Sequence, residues 1–311
     1  MLYDVYHDES KEKGYWHGIL LVPQLSRQIL LGHLKHIREV TKYNRPVTLK
    51  KLDKKSSRYE CIRMWIELGA HALMQKTKGK TARIHNIKKC FSQHEQREAR
   101  EFSEVIQIRE PIRTKFILYK ERDSHALMDD SWYPNHTAKI ETTFRMGLKY
   151  GLHLLFDEGS HAHINSFHFD GHKHHGRPID KKRVIGRLQG ELKSYCSIPA
   201  ATPIDERTGN HAIPDSQEYD DCQLLQLTDL MVGSFRTILG DAKNNVQKEA
   251  SLPVKDLIEK WNRGYAGMKQ SRWDKGFCLS ECYLENEKWQ FQGFDRRNKV
   301  NEAQTKLSLG M

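Results

Sequence analysis

Asp229 is the residue best placed for chemistry. It lies in Cys222-Gln223-Leu224-Leu225-Gln226-Leu227-Thr228-Asp229-Leu230-Met231-Val232-Gly233-Ser234-Phe235-Arg236. Projected at helical period, Leu224, Leu227, Leu230, Met231 and Phe235 cover a wide apolar arc. Cys222, Gln226, Asp229, Gly233 and Arg236 make one narrow polar stripe. A helix apolar over most of its circumference is buried. A carboxylate on such a helix is costly unless a cation or hydrogen-bond donors meet it. Asp229 is therefore either a structural acid, paired with Arg236 or a core donor, or an acid held deep for chemistry. Gly233, one turn on, lets a ligand or another stretch of backbone come close.

Two further acids sit where strands end. Leu2, Val5 and Tyr6 lead into His7-Asp8-Glu9-Ser10, and Tyr15 to Val22 is a β-rich apolar run closed by Pro23. This pattern predicts a hairpin over residues 1–22, with Asp8 and Glu9 at the exit of its first strand. Ile164-Asn165-Ser166-Phe167-His168-Phe169 alternates apolar with polar and then reaches Asp170. Strand exits combine a rigid support with open space, which suits catalytic carboxylates. The pair Asp157-Glu158 also follows an apolar run, but Gly159-Ser160 reads as a helix C-terminus and turn, so it ranks below Asp170. His161, His163, His168, His172, His174 and His175 invite a zinc reading. No spacing there matches a closed structural zinc site with cysteines.

Oxygen ligands suit Mg²⁺ or Mn²⁺. Two such ions about 3.5–4 Å apart can activate a water and steady a leaving oxygen in phosphodiester cleavage. In that scheme Asp8 bridges the ions, Asp170 and Asp229 flank it, and Glu9 is either a fourth ligand or an exposed neighbour. Converging like charges repel until metal binds, so metal should stabilise the site. No Ser/His/Asp nucleophile elbow and no phosphate-cradling glycine loop occurs in the sequence.

The local words resemble a known family. Tyr6-His7-Asp8-Glu9-Ser10 resembles the opening D-E-S motif of the family catalogued as domain of unknown function 3800. Ser216 followed by Leu224-Leu225-Gln226-Leu227-Thr228-Asp229-Leu230-Met231-Val232-Gly233 resembles its closing motif, with Thr228 where Ala is usual. Leu49-Lys50-Lys51-Leu52, ahead of a helix containing Tyr59, resembles its central lysine-bearing segment. Val47-Thr48 stand where an acid often precedes that lysine. The resemblance spans about residues 1–240. It implies a ribonuclease H-like fold, with an Asp on the first strand, an acid ending a later strand and an acid on a late helix, together holding divalent metal. It also implies metal-dependent nuclease activity, and an association with bacterial mobile elements and defence loci in which a protein partner can take part.

Charge agrees with a polyanionic partner. Lys and Arg number 51 against 40 Asp and Glu, a net charge of +11. Such an excess points to nucleic acid, DNA or RNA. It is concentrated in Lys42, Arg45, Lys50, Lys51, Lys54, Lys55 and Arg58, and again in Lys76, Lys78, Lys80, Arg83, Lys88 and Lys89. Lys50, Lys51, Lys54, Lys55 and Arg58 are the candidate nucleic-acid ligands. The alternative is a solubilising surface. With 38% hydrophobic and 29% charged residues the chain reads as soluble. It has no apolar stretch of the ~20 residues that span a bilayer. Met1-Leu2-Tyr3-Asp4 does not open a signal peptide. Six cysteines in 311 residues make no disulfide framework, so a reducing cytoplasm is the expected setting.

The elements needed to position the three acids follow from periodicity. Helices are expected over Ser26 to Val40, Ser57 to Gln75, Lys139 to Phe156, Asp180 to Tyr195 and Cys222 to Leu239. Strands are expected at Arg113–Tyr119 and Asn165–Phe169, with short ones at Val47–Leu49 and within residues 198–215. A helical insertion is expected at 76–110 and a C-terminal hairpin from Phe277 to Phe294, turning at Asn286-Glu287. This predicts an α/β fold, a mixed sheet flanked by helices. Residues 1–240 form its main domain, and 241–311 form a helical linker and hairpin packed on the same domain. Two rival functions stand beside the nuclease: an inactive ribonuclease H-like module that only binds nucleic acid or protein, and a zinc hydrolase built on His161, His163, His172 and His174.

Overall fold

Trp16–Pro23 is buried along its whole length. A strand of that kind needs a partner on each edge and cover on both faces. In the computed structural model it has both. The structure describes residues 1–10, 15–52, 56–74, 112–122, 136–156, 162–170, 180–192, 196–207, 217–240, 244–265, 276–285 and 288–293. Within them the chain divides into two interleaved units. One takes residues 1–24, 114–232 and 275–294, and the other takes 25–113, 233–274 and 295–311.

The first unit is built on one mixed sheet. Its strands are β1 (Leu2–Ser10), β2 (Trp16–Pro23), β3 (Lys115–Glu121), β4 (Ala162–Asp170), β5 (Cys196–Ser197), β6 (Ile204–Arg207), β7 (Phe277–Glu285) and β8 (Lys288–Gly293). They lie in the order β5-β4-β1-β2-β3-β7-β8, with β6 also pairing with β4. β1 is antiparallel to β2 and parallel to β4, and β3 is parallel to β7. The expected N-terminal and C-terminal hairpins both form, the second through Glu285 opposite Lys288.

Strand alternation sorts side chains between the two faces. On one face Tyr3, Val5, Ile19, Leu21, Ile117, Tyr119, Phe167 and Phe169 form a continuous core. Two helices supply the rest of it: α3 (His136–Leu155) through Phe144, Leu148 and Leu152, and α4 (Lys181–Leu192) through Val184, Ile185 and Leu188. The other face carries Asp4, Tyr6 and Asp8 on β1. It receives α5 (Gln217–Leu239), whose Asp221 Oδ1 accepts a 2.9 Å hydrogen bond from the Tyr6 hydroxyl.

The second unit, taken by itself, is helical among its described residues. It holds most of α1 (Gln24–Thr41), then α2 (Ser57–Leu73), α6 (Asn245–Ala250) and α7 (Leu252–Tyr265). Ser56 caps α2 by accepting the Tyr59 N–H, and Asn244 caps α6 by accepting those of Val246 and Gln247. The strand expected at Val47–Leu49 does not form. Its carbonyls bond to side chains instead: Thr48 O to Arg58 Nη2 at 2.9 Å and Leu49 O to Gln247 Nε2 at 2.8 Å. An extended, apolar reading missed donors that lie far away in sequence. The insertion expected at 76–110 lies outside the described residues.

Candidate active site

Asp8 enters the site through register. β1 runs parallel to β4 with His7 beside Phe169, so Asp8 and Asp170 follow side by side at the exits of neighbouring strands. Across the other edge Asp8 pairs with Gly18 of β2. Gly18 lies under α5: a Cβ there would come within 2.2 Å of Val232 Cγ2 and 3.0 Å of Phe116 Cζ. Val232 is three residues beyond Asp229, on the same side of α5. The missing side chain at Gly18 thus lets the helix settle on the sheet beside Asp8, which brings Asp229 over it.

Electrostatics report the same neighbourhood. Burial raises the Asp8 carboxyl well above the usual carboxylate range. The negative charges of Asp229 and Asp170 push it further in the same direction, and Glu9 adds a smaller push. The Glu9 backbone N–H opposes these by donating to the Asp8 carboxylate. Asp8 is 3% exposed, whereas Asp170 and Asp229 are half-buried. The site therefore has a deep acid and two flanking acids nearer solvent.

The Glu9 side chain goes the other way. Successive strand residues point to opposite faces, and Glu9 Oε2 accepts the Tyr15 hydroxyl there. Burial, followed by the Glu9 charge, drives the Tyr15 phenol far above its ordinary value. That face also holds His7 Nε2, 3.4 Å from His17 Nδ1, and His17 Nε2, 3.1 Å from Glu121 Oε1. Lys139 Nζ stands 3.9 Å from Glu121 Oε2. The structure thus brings Asp8, Asp170 and Asp229 to one face and places Glu9 in a polar network behind them.

Sequence reading named His168 only among the zinc-type histidines and passed over its neighbours on the acid face. His168 stacks on Tyr6 with ring centroids 4.7 Å apart. Its Nδ1 is 3.8 Å from Asp205 Oδ2 and its Nε2 is 3.8 Å from Asp221 Oδ1. Ser166 Oγ lies 2.8 Å from His168 Nε2 and donates to Asp4 Oδ1 at 2.7 Å. Asn165 donates to the same Asp4 oxygen at 2.7 Å. A signal for these existed. Ser166, His168 and Asp170 alternate along one strand, and Asp221 precedes Asp229 by two helical turns, so each set shares a face. Of the zinc alternative, His163 is exposed, and His161, His172 and His174 lie outside the described residues. So do Asp157 and Glu158.

Of the candidate nucleic-acid ligands, Lys50 and Lys51 are exposed. Lys54 and Lys55 lie outside the described residues. Arg58 turns onto the chain itself: Nη1 donates to Lys51 O at 3.1 Å, and Nη2 donates to Thr48 O at 2.9 Å and to Lys50 O. The space left by Gly233 is taken by Leu49, whose Cδ1 would be 2.9 Å from an added Cβ.

Neither the known protein families nor the curated proteins give a match to this chain.

Can the carboxylates hold a metal? The donors are oxygens, as Mg²⁺ or Mn²⁺ requires, and the mutual repulsion felt at Asp8 is of the kind a cation relieves. Among the described residues no three His, Cys, Asp or Glu side chains are gathered into a ready-made cage. The donor set suits such an ion in its chemistry, but the three carboxylates as they stand do not form a metal cage.

The packing of α5 on Gly18 gives a direct test of how the site is built. Gly18→Ala is expected to lower unfolding free energy by about 1–3 kcal/mol through overpacking. Adding Val232→Ala should offset part of that loss, so the double variant is less destabilised than the sum of the singles. Denaturant unfolding of the four proteins measures the coupling. Strict additivity would mean that α5 does not rest on Gly18.

Proposed function

We propose that this chain is a divalent-metal-dependent nuclease of the ribonuclease H-like kind, as its resemblance to the domain of unknown function 3800 family implies. One observation carries the reading: a buried acid on the first, interior strand lies in register beside an acid ending the parallel neighbour, under the late helix that carries a third acid. The resemblance implies that same distribution. The net charge of +11 supports a nucleic-acid substrate, DNA or RNA.

Asp8, Asp170 and Asp229 would hold Mg²⁺ or Mn²⁺. Once bound, the metal would polarise the scissile phosphate and generate a nucleophilic water. The protein's own part is positional. β1 fixes Asp8 between two paired strands, so its carboxylate has little freedom to turn away. The Glu9 N–H takes up part of the Asp8 charge. α5 brings Asp229 down from above, while Tyr6 and Asp221 tie that helix to the same strand. Apart from a cation, the ionised Asp8 is costly in this setting. The site thus favours either a proton or a metal on that carboxylate.

Cleavage of labelled single- and double-stranded DNA and RNA, with Mg²⁺, Mn²⁺ or EDTA, tests the reading. Metal-dependent breakage of at least one substrate is expected. Activity that survives EDTA, or none on any substrate with either metal, would overturn it. The resemblance further suggests a role in bacterial defence or mobile-element biology, and the cysteine usage suggests a reducing cytoplasm as its setting. No helix among the described residues is long and apolar enough to cross a membrane.

A further inference from the structure

The segment 42–51 is basic and surface-exposed, yet its backbone is tied down almost residue by residue. Arg38 Nη1 donates to the carbonyls of Tyr43 at 3.2 Å and Arg45 at 2.8 Å. The Tyr43 hydroxyl donates to Pro46 O at 3.1 Å. Arg58 takes the carbonyls of Thr48, Lys50 and Lys51, and Gln247 takes that of Leu49. Val47 and Leu49 are buried beneath the loop. Arg38 is itself 4% exposed and lies over the Trp65 ring at 4.6 Å. Side chains thus fix the peptide oxygens of this segment, and Lys42, Arg45, Lys50 and Lys51 stay on its exposed side.

A second observation concerns the ends of the segment. Lys42 and Lys51 both have φ of 51°, and among the described residues they are the only non-glycine residues with positive φ. Glycine occupies that region freely, and other residues do so at a cost. A solubilising surface needs neither a fixed frame nor lysine at a position suited to glycine. At Lys42 the left-handed backbone closes α1, with the Tyr43 N–H donating to Arg38 O at 3.1 Å. At Lys51 no helix end calls for it, and strain held by a surrounding framework points to a use for that side chain.

We infer that residues 42–51 form a preorganised cationic cradle for the sugar–phosphate backbone of nucleic acid, with Lys42, Arg45, Lys50 and Lys51 as its phosphate ligands. Arg38 and Arg58 are its internal ties, not its ligands. The assignment rests on the reading of the partner as nucleic acid. A loop ordered in advance loses little freedom on binding, and phosphate ligands of this type position the backbone without reading sequence. A membrane surface suits the loop less well, because its apolar residues Val47 and Leu49 are buried and offer no anchor to lipid.

The test is fluorescence polarisation of short labelled DNA and RNA, single- and double-stranded, in EDTA across a salt series. Replacing Lys42, Arg45, Lys50 and Lys51 together by Gln should weaken binding by about tenfold or more near physiological salt. The log–log salt slope should fall by about 0.7–0.9 for each phosphate ligand removed. Lys42→Gly with Lys51→Gly should bind more weakly yet melt at or above the wild-type temperature. Arg58→Lys keeps the charge and loosens the frame, so affinity should drop with little change in slope. Should the fourfold variant fail to fold by circular dichroism, the pairs K42Q/R45Q and K50Q/K51Q replace it, and each is expected to show about half the fall in slope. Unchanged affinity and slope would overturn the cradle. So would a lower melting temperature with full binding in the glycine variant, or wild-type binding to polyglutamate or anionic vesicles and to no oligonucleotide. Binding in EDTA does not depend on cleavage. A cradle that binds in a protein that never cuts supports this inference against the nuclease reading, and cutting with unaltered affinity in the Gln variants does the reverse.

Discussion

Asp8→Asn and Asp229→Asn are each expected to lower metal-dependent cleavage by at least about a thousandfold while leaving the fold intact. Metal polarisation of a phosphoryl oxygen contributes several kcal/mol to the transition state, and each 1.36 kcal/mol is about a factor of ten in rate. Asn is nearly the same size as Asp and is neutral, so it removes an anionic ligand without opening a cavity. Asp8 is the more severe loss because it is the buried member and both other acids act on it. Single-turnover cleavage measures the rate, and circular dichroism checks the fold. If both variants cut at the wild-type rate, the carboxylate mechanism fails. If the wild type binds nucleic acid but never cuts, the protein is the inactive module of the same architecture.

The second large effect is on stability, and its sign follows from the raised Asp8 carboxyl. A carboxyl whose folded pKa lies above its unfolded value favours folding in the protonated form. That contribution is present in full below the ordinary value of about 4. It shrinks as pH rises and is gone above the folded pKa. The metal-free protein should therefore lose melting temperature as pH rises from about 4. Asp8→Asn should lose less and be the more stable protein at neutral pH. Mg²⁺ or Mn²⁺ should reverse the order. Free metal at a hundred times Kd adds about 2.7 kcal/mol to the wild type, several degrees for a chain of this size, and little to Asp8→Asn. Differential scanning fluorimetry across pH, with and without metal, reads both effects. A melting temperature of Asp8→Asn below wild type at neutral pH without metal, or an equal metal response in the two proteins, would show that Asp8 is a satisfied structural acid.

Much of this arrangement was legible in the residues. Asp229 stood out because a carboxylate interrupts an apolar helix. Asp8 and Asp170 stood out because each ends an alternating or apolar run. Their adjacency was not legible, since it depends on β1 pairing in parallel with β4 in the register that sets His7 beside Phe169. Such pairing joins segments far apart in the chain and leaves no local trace. Glu9 shows the opposite case. Its identity and position made it look like a ligand, but strand alternation turns it to the far face, where Tyr15 holds it. Arg58 looked like a phosphate ligand on charge alone. The carbonyls that claim it belong to a loop whose shape only the folded chain defines. His168 and Asp221 were readable through their spacing from Asp170 and Asp229, had the polar members of each face been followed as closely as the apolar ones.

The pairing of β3 with β7 has a consequence for how the chain comes off the ribosome. β3 is the apolar run Lys115–Glu121, and its outer edge is closed by Phe277–Glu285, which follows much later in the sequence. For the whole interval between their synthesis, that edge has its hydrogen-bonding groups open to any other extended chain. The sheet that holds Asp8 can form early from β1, β2 and β4, but the β3 edge is closed only when the β7–β8 hairpin emerges. A nascent chain stalled before residue 277 would therefore carry its three acids together with an aggregation-prone flank. Overproduction of such fragments would bring insoluble material before it brought loss of local structure at the acids.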